Sequence, residues 1–173
     1  VASGFEIPGV FTSIDSGLTW IPRNTNLFLS SLASSSDGTK LVGAWNTGQL
    51  YTSTDSGVTW TPRDSNRNWT SVASSSDGTK LVTSVQDGPI YISTDSGVNW
   101  RAYDSSRNWT TVASSSDGSK LLACDGDGAI YSSAASQVIT PTVTTSLTGE
   151  QWSTLDLVYV GNNNFVIIGG SSR

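Results

Sequence analysis

Apolar and polar residues alternate over short stretches of the chain, and clusters of Gly, Asp, Ser and Asn interrupt them at close intervals. Alternation with a period of two predicts half-buried β-strands, and the breaker clusters predict tight turns between them. Over residues 69–102 the pattern places four strands, at Trp69–Ser74, Lys80–Val85, Ile90–Thr94 and Val98–Ala102. The turn between the first two is Ser-Asp-Gly-Thr, where Asp77 and Gly78 supply left-handed positions. Asp87-Gly88 turns the second strand into the third, and Asp95-Ser96-Gly97 the third into the fourth. No stretch of ten residues carries helical periodicity. The chain reads as all-β.

The same pattern recurs. FTSIDSGLTW from Phe11, YTSTDSGVTW from Tyr51 and YISTDSGVNW from Tyr91 align without a gap, 40 residues apart. LASSSDGTKLV from Leu32, VASSSDGTKLV from Val72 and VASSSDGSKLL from Val112 keep that register. A fixed period of this length marks a propeller, a solenoid or an array, and four hairpin-linked strands per repeat is the propeller blade. The repeats run 11–50, 51–90 and 91–130, followed by a degenerate unit at 131–173, in one domain spanning 1–173.

Ser13–Trp20, Ser53–Trp60 and Ser93–Trp100 resemble the Asp-box (BNR-type) repeat, Ser-x-Asp-x-Gly-x-Thr-Trp, with Asn99 replacing Thr in the third copy. That repeat is shared by the propellers of sialidases, sortilin-type receptors, xyloglucan hydrolases and photosystem assembly factors, which do unrelated things. The resemblance implies a propeller with the box in the hairpin between the third and fourth strands of each blade, away from any active centre. Physically, the Asp carboxylate can accept backbone N–H groups of its own turn while Gly takes the left-handed position. Asp15, Gly17, Trp20, Asp55, Gly57, Trp60, Asp95, Gly97 and Trp100 are therefore expected to be structural.

Strand arithmetic predicts closure. The N-terminus supplies a second-strand-like stretch and a third strand (Val1–Thr12) and a fourth at Leu18–Ile21, whereas the C-terminus ends on a first and a second (Trp152–Val158, Phe165–Ile168). The degenerate unit places its fourth strand near Val138–Val143. The expectation is a small propeller of four antiparallel four-stranded blades, closed by pairing of N- and C-terminal strands. The alternative is an arc of a larger ring. Val1, without a basic or apolar leader after it, reads as the start of a processed, excised or partial product.

Propeller connectivity puts the loops that vary between repeats on one face, where binding usually lives. Its candidate ligand contacts are Trp45, Asn46, Arg67, Asn68, Gln86, Asp87, Arg107 and Asn108. Trp45 could stack on a sugar or an apolar group, or pack between blades. Arg67 and Arg107 could clamp an acid or sugar hydroxyls. Alternatively, each stacks on a Trp and pairs with Asp64 or Asp104. Asp125 and Asp127 sit in Asp-Gly-Asp-Gly, which resembles the opening of a calcium loop but lacks its third carboxylate and closing Glu, so a plain turn is favoured and no metal or cofactor is expected. Asn68-Trp69-Thr70 and Asn108-Trp109-Thr110 match a glycosylation sequon incidentally, and Cys124 is expected to be a buried small residue.

Composition narrows the function. The chain of 173 residues carries a net charge of -5 and only 13% charged residues, and its 31 Ser and 21 Thr supply most of its polarity. Nothing neutralises phosphates, so nucleic acid and anionic membrane surfaces are poor partners, and no apolar run is long enough to insert in a membrane. With no His and one Cys, disulfide frameworks, Cys/His zinc sites and Ser-His or Cys-His pairs are excluded. The only glutamates, Glu6 and Glu150, lie in irregular stretches and form no matched acid pair, so no catalytic residue is named. The expected function is non-catalytic recognition of a glycan or glycoprotein by the variable-loop face. The alternative is a structural module contacting other protein subunits, for which Leu27-Phe28-Leu29 speaks; oligomers are compatible with either. A hydroxyl-rich, nearly Cys-free chain suits an extracellular, cell-surface or particle-associated setting.

Overall fold

The structure is a computed structural model that describes residues 1–3, 9–24, 26–133, 138–139, 156–161 and 164–169. Every helix-or-strand element among them is a β-strand. They belong to two compact units, Val1–Ile139 and Thr140–Arg173. The first unit holds four antiparallel sheets, each a simple meander. Strands β1 (Ala2–Ser3), β2 (Val10–Thr12) and β3 (Ile21–Asn24) form the first. The second contains β4 (Ser31–Ser34), β5 (Leu41–Ala44), β6 (Leu50–Ser53) and β7 (Thr61–Arg63). In the third, β8 (Trp69–Ser74), β9 (Leu81–Val85), β10 (Gly88–Ser93) and β11 (Arg101–Arg107) repeat that order. The fourth holds β12 (Trp109–Ser114), β13 (Leu121–Asp125), β14 (Ile130–Ser132) and β15 (Val138–Ile139). In the second unit β16 (Asp156–Gly161) pairs with β17 (Asn164–Gly169), Val158 opposite Val166.

The cores lie between sheets. Val10, Leu27 and Leu29 pack with Trp60 between the first and second, and Val42, Leu50, Trp69, Val72 and Tyr91 pack with Trp100 between the second and third. Val82, Trp109, Val112 and Ala123 repeat the arrangement one sheet further on. Alternating residues thus bury both faces of each central sheet, as stacked sheets require. The innermost strands β4, β8 and β12 lie side by side, which demands small residues and supplies hydroxyls for bonding between them. Ser31 Oγ accepts the Val72 N–H (3.0 Å), and Ser71 Oγ accepts the Val112 N–H (3.2 Å). The Ser-Ser-Ser-Asp-Gly turns add a second set: Ser36 N donates to Ser76 O and Ser76 N to Ser116 O.

The Ser-x-Asp-x-Gly turns explain where the outer strands start. Asp55 Oδ1 accepts the Thr59 N–H (2.9 Å) and Asp55 Oδ2 the Thr59 hydroxyl (2.6 Å), so the turn holds the chain through Thr59. Ser53 Oγ donates to Asp55 Oδ1 and accepts the Gly57 N–H. Trp60 closes the turn by donating its indole N–H to Gly57 O (3.0 Å). Only then does β7 begin. The expected outer strands at Leu18–Ile21 and Val98–Ala102 are corrected accordingly: β3 starts at Ile21 and β11 at Arg101, each directly after the tryptophan. Ser56 and Gly57 both adopt left-handed backbone, φ 58° and 84°, where a single left-handed Gly was expected. In the turn between the first two strands only Gly78 is left-handed; Asp77 instead binds Ser75 and Thr79 through its carboxylate.

The strands expected at the two ends of the chain are present. β1 stands beside β2, so among the described residues the first sheet has three strands in the order β1-β2-β3. The expected C-terminal strands are found as β16 and β17, paired with each other; residues 152–155 of the first lie outside the described residues, as do 140–143 of the strand expected near Val138–Val143. The first turn is uncovered where its siblings are packed. Gly57 abuts Thr12 and Gly97 abuts Thr52, each of the preceding sheet, and both glycines are buried, whereas Gly17 is exposed and Trp20 is 46% exposed.

Candidate recognition face

Hydrogen bonds divide the loops of the first unit into two faces. On one, the Ser-x-Asp-x-Gly turns bond to the turns between first and second strands, with Ser56 N donating to Thr39 O and Ser96 N to Thr79 O. Its carboxylates are fully committed to these turns. The Thr19 and Thr59 hydroxyls and amides hold the Asp15 and Asp55 carboxyls at about 2, and the Asn99 amide does the same for Asp95. Asp37 is held at about 2 chiefly by the Ser35 hydroxyl, and Asp77 and Asp117 are pushed lower by Ser75 and Ser115. This face is folding chemistry repeated.

The carboxyls predict acid behaviour. Each titrates lower in the folded chain than its ordinary value of 3.8, so its contribution is complete above that value and is lost as pH falls toward and through about 2. Melting followed by circular dichroism is expected to be flat from neutral pH to about 5 and to fall steeply below about 4. Asp55→Asn should make that fall shallower. A midpoint as high near pH 2 as at neutrality would contradict the assignment.

The opposite face gathers the loops that differ between repeats. Asn46 bridges to Asn68, Arg67 N donates to Gly48 O (3.0 Å) and Gln86 N to Asn68 O (2.9 Å), so Asn46, Arg67, Asn68 and Gln86 share one site. Asp87, left-handed at φ 53°, stands exposed beside Gln86. Asn108 O likewise accepts the Gly126 N–H (2.8 Å), which makes Arg107 and Asn108 the repeat of that site one sheet along.

The arginines sit on aromatic pillars. Arg67 lies 4.7 Å from the Tyr91 ring and 5.8 Å from Trp69, with Trp69 edge-on to Tyr91 at 5.3 Å. Arg107, Trp109 and Tyr131 reproduce this at 4.7, 5.9 and 5.1 Å. Arg67 also meets Asp64 at 3.7 Å. Arg67 Nε and the indole N–H groups of Trp69 and Trp109 are buried without hydrogen-bond partners, so ring contacts hold these pillars. Both arginines are stacked on aromatic rings as one sequence reading expects, and Arg67 has its Asp64 beside it, whereas the Asp104 side chain expected to pair with Arg107 lies outside the described residues. The tyrosines were not singled out as site residues, although Tyr51, Tyr91 and Tyr131 recur with the period.

The first repeat departs from the pillar. Leu27 and Leu29 replace the Arg and Trp, and Phe28 replaces the intervening Asn. Trp45, half-buried, packs on the Val10, Leu27 and Leu29 cluster, with Phe28 at 5.7 Å on one side and Tyr51 at 6.3 Å on the other. Phe28 is 44% exposed. Trp45 thus packs between sheets while keeping part of its ring at the surface, and Phe28 is the exposed ring of the patch.

The acidic turn is self-contained. Asp125 Oδ1 accepts the N–H groups of Asp127 (3.1 Å) and Ala129 (2.9 Å), and Asp125 Oδ2 accepts the Tyr131 hydroxyl (3.1 Å). Among the described residues no three His, Cys, Asp or Glu side chains gather as metal ligands. Cys124 is buried, and burial pushes its thiol up.

No protein-family model and no curated protein matches the chain. Solved structures do. YCF48 from Cyanidioschyzon merolae superposes with a TM-score of 0.52 at 22% identity, covering 60% of this chain and 33% of that one. A structure of YCF48 bound to D1 peptide gives 0.55 at 18%, covering 75% and 46%. The GH74 xyloglucanase from Xanthomonas campestris gives 0.57 at 16%, covering 87% and 27%. These are β-propellers, and at such identities the likeness is one of fold: this chain is built of propeller-type blades. It spans less than half the length of each of these structures.

Proposed function

We propose that the chain is a non-catalytic recognition module whose loop face binds a protein through the patch of Phe28 and Trp45. The observation that carries this reading is an exposed ring seated on a second aromatic, with Leu27 and Leu29 beneath and exposed Asn46 and Asn68 in the neighbouring loops. An aromatic anchor in a polar surround is the usual composition of a protein-binding hot spot. The structure of YCF48 bound to D1 peptide supports the idea by likeness of fold. A glycan is the second reading, favoured by Trp45 next to the amide of Asn46. Its weakness is that Phe28 and Tyr51 already occupy the flanks of the Trp45 ring.

The non-catalytic part rests on how the acids are used. Asp64 faces Arg67, and Asp125 is bonded within its own turn and to Tyr131, so neither of these two is a free carboxylate of the kind glycoside hydrolysis uses. A closed four-blade ring also belongs to this proposal: residues 140–173 would supply the first sheet with a fourth strand and cover Trp20. An extracellular, cell-surface or particle-associated setting fits the hydroxyl-rich composition.

The test is a displayed peptide library and a glycan array probed in parallel with wild type, Phe28→Ser and Trp45→Ala. Peptides should be selected, and both variants should weaken them by about tenfold or more, an anchor's usual share. Glycan binding lost with Trp45→Ala would establish the second reading instead, and ligands indifferent to both substitutions would place recognition elsewhere.

A further inference from the structure

We propose that β11, the outer edge of the third sheet, receives an extended acidic peptide as an added strand. The repeats themselves show what is unusual about it. β3 and β7 are four and three residues long and carry Pro22 and Pro62, opposite Phe11 and Tyr51. β11 is seven residues long, and the same place, opposite Tyr91, is taken by Ala102. Proline survives in a sheet where its missing donor would have faced away from the neighbouring strand. By that register the Ala102 N–H points outward, to the free edge, where the two sibling edges present no donor. Short strands and outward prolines are how native sheets blunt an edge against pairing. Of the three outer strands that follow the Ser-x-Asp-x-Gly turns, two are blunted and β11 is left open.

The side chains along β11 indicate the occupant. Arg101 and Tyr103 are exposed, and the guanidinium lies 5.5 Å from the Tyr103 ring, so the two share one side of the strand. In the sibling strands Ile21 and Thr61 stand in the place of Arg101, whereas Arg23 and Arg63, in the place of Tyr103, donate back to Thr12 and Thr52 of the adjacent strand. With Asp104 and Arg107 the strand has a net charge of +1 in a chain of -5. A second copy of so acidic a chain is the poorer partner, and a strand carrying a carboxylate opposite Arg101 and an apolar residue against Tyr103 is the better one. Main-chain bonds would supply affinity and these two side chains specificity, as in other added-strand complexes. This surface is separate from the patch of Phe28 and Trp45.

Fluorescence anisotropy with a labelled eight-residue peptide, alternating threonine with glutamate and valine in turn, tests it. Wild type should bind saturably, and Ala102→Pro should weaken binding by about tenfold or more at an unchanged melting midpoint, since it removes an edge donor only. Arg101→Glu should weaken the same peptide and strengthen one with lysine in place of glutamate, a result that does not depend on how well the proline variant folds. Phe28→Ser should leave both peptides unaffected, which keeps this inference distinct from the loop-face reading. Equal binding by wild type and Ala102→Pro, absence of binding, or a dimer that Ala102→Pro converts to monomer would overturn the proposal.

Discussion

Trp69→Ala is expected to lose about 3–5 kcal/mol of stability, the usual cost of emptying a buried aromatic site. Trp69 is 0% exposed and opens β8, packed among Val42, Leu50, Val72 and Tyr91 between the second and third sheets. Its removal leaves a cavity and also strips Arg67 of one of the two rings on which it lies. Against a total of about 5–15 kcal/mol for ordinary domains, that is enough to bring the chain close to unfolding. Trp69→Leu should cost less, because the first repeat manages with Leu29 at the matching place. Urea denaturation of both variants checks this. A loss below about 1 kcal/mol for Trp69→Ala would mean that the site collapses or that the tryptophan is not a core residue.

Removing residues 164–173 should unfold or oligomerise the chain. The deletion takes away β17 and leaves β16 without the strand that pairs it from Asp156 to Gly161. An unpaired edge of Leu157, Val158, Tyr159 and Val160 is an aggregation hazard in itself. Size-exclusion chromatography with light scattering, together with thermal melting, distinguishes the outcomes. A stable monomer that melts like the intact chain would remove the four-blade ring from the account and favour an open arc.

The parts of the fold that were legible in the sequence are those that repeat. The 40-residue period located the second and third strands and the turns between them, because alternation and left-handed turn residues are local signals. The outer strands were placed too early for a reason that is also local. Leu18, Val58 and Val98 alternate like strand residues, but the carboxylate four positions before each Thr or Asn holds that stretch as a turn. The recognition face was harder. Sequence named Arg67 and Trp45 for their chemistry, yet whether an aromatic or a cation is spent on packing depends on neighbours that the chain brings from other repeats. Phe28 gave a signal only through comparison between repeats, as an apolar residue where the siblings have Asn68 and Asn108. The open edge at β11 was legible in the same way, as Ala102 in the place of Pro22 and Pro62.

The central claim is a division of labour, in which one face folds the blades and the other recognises a partner. Amide chemical-shift mapping with a peptide from the displayed library tests it most directly. The account predicts shifts confined to Phe28, Trp45, Asn46, Asn66–Asn68 and Gln86, with the turns at 13–20, 53–60 and 93–100 unmoved. Shifts centred on those turns, with Phe28 and Trp45 unchanged, would contradict it.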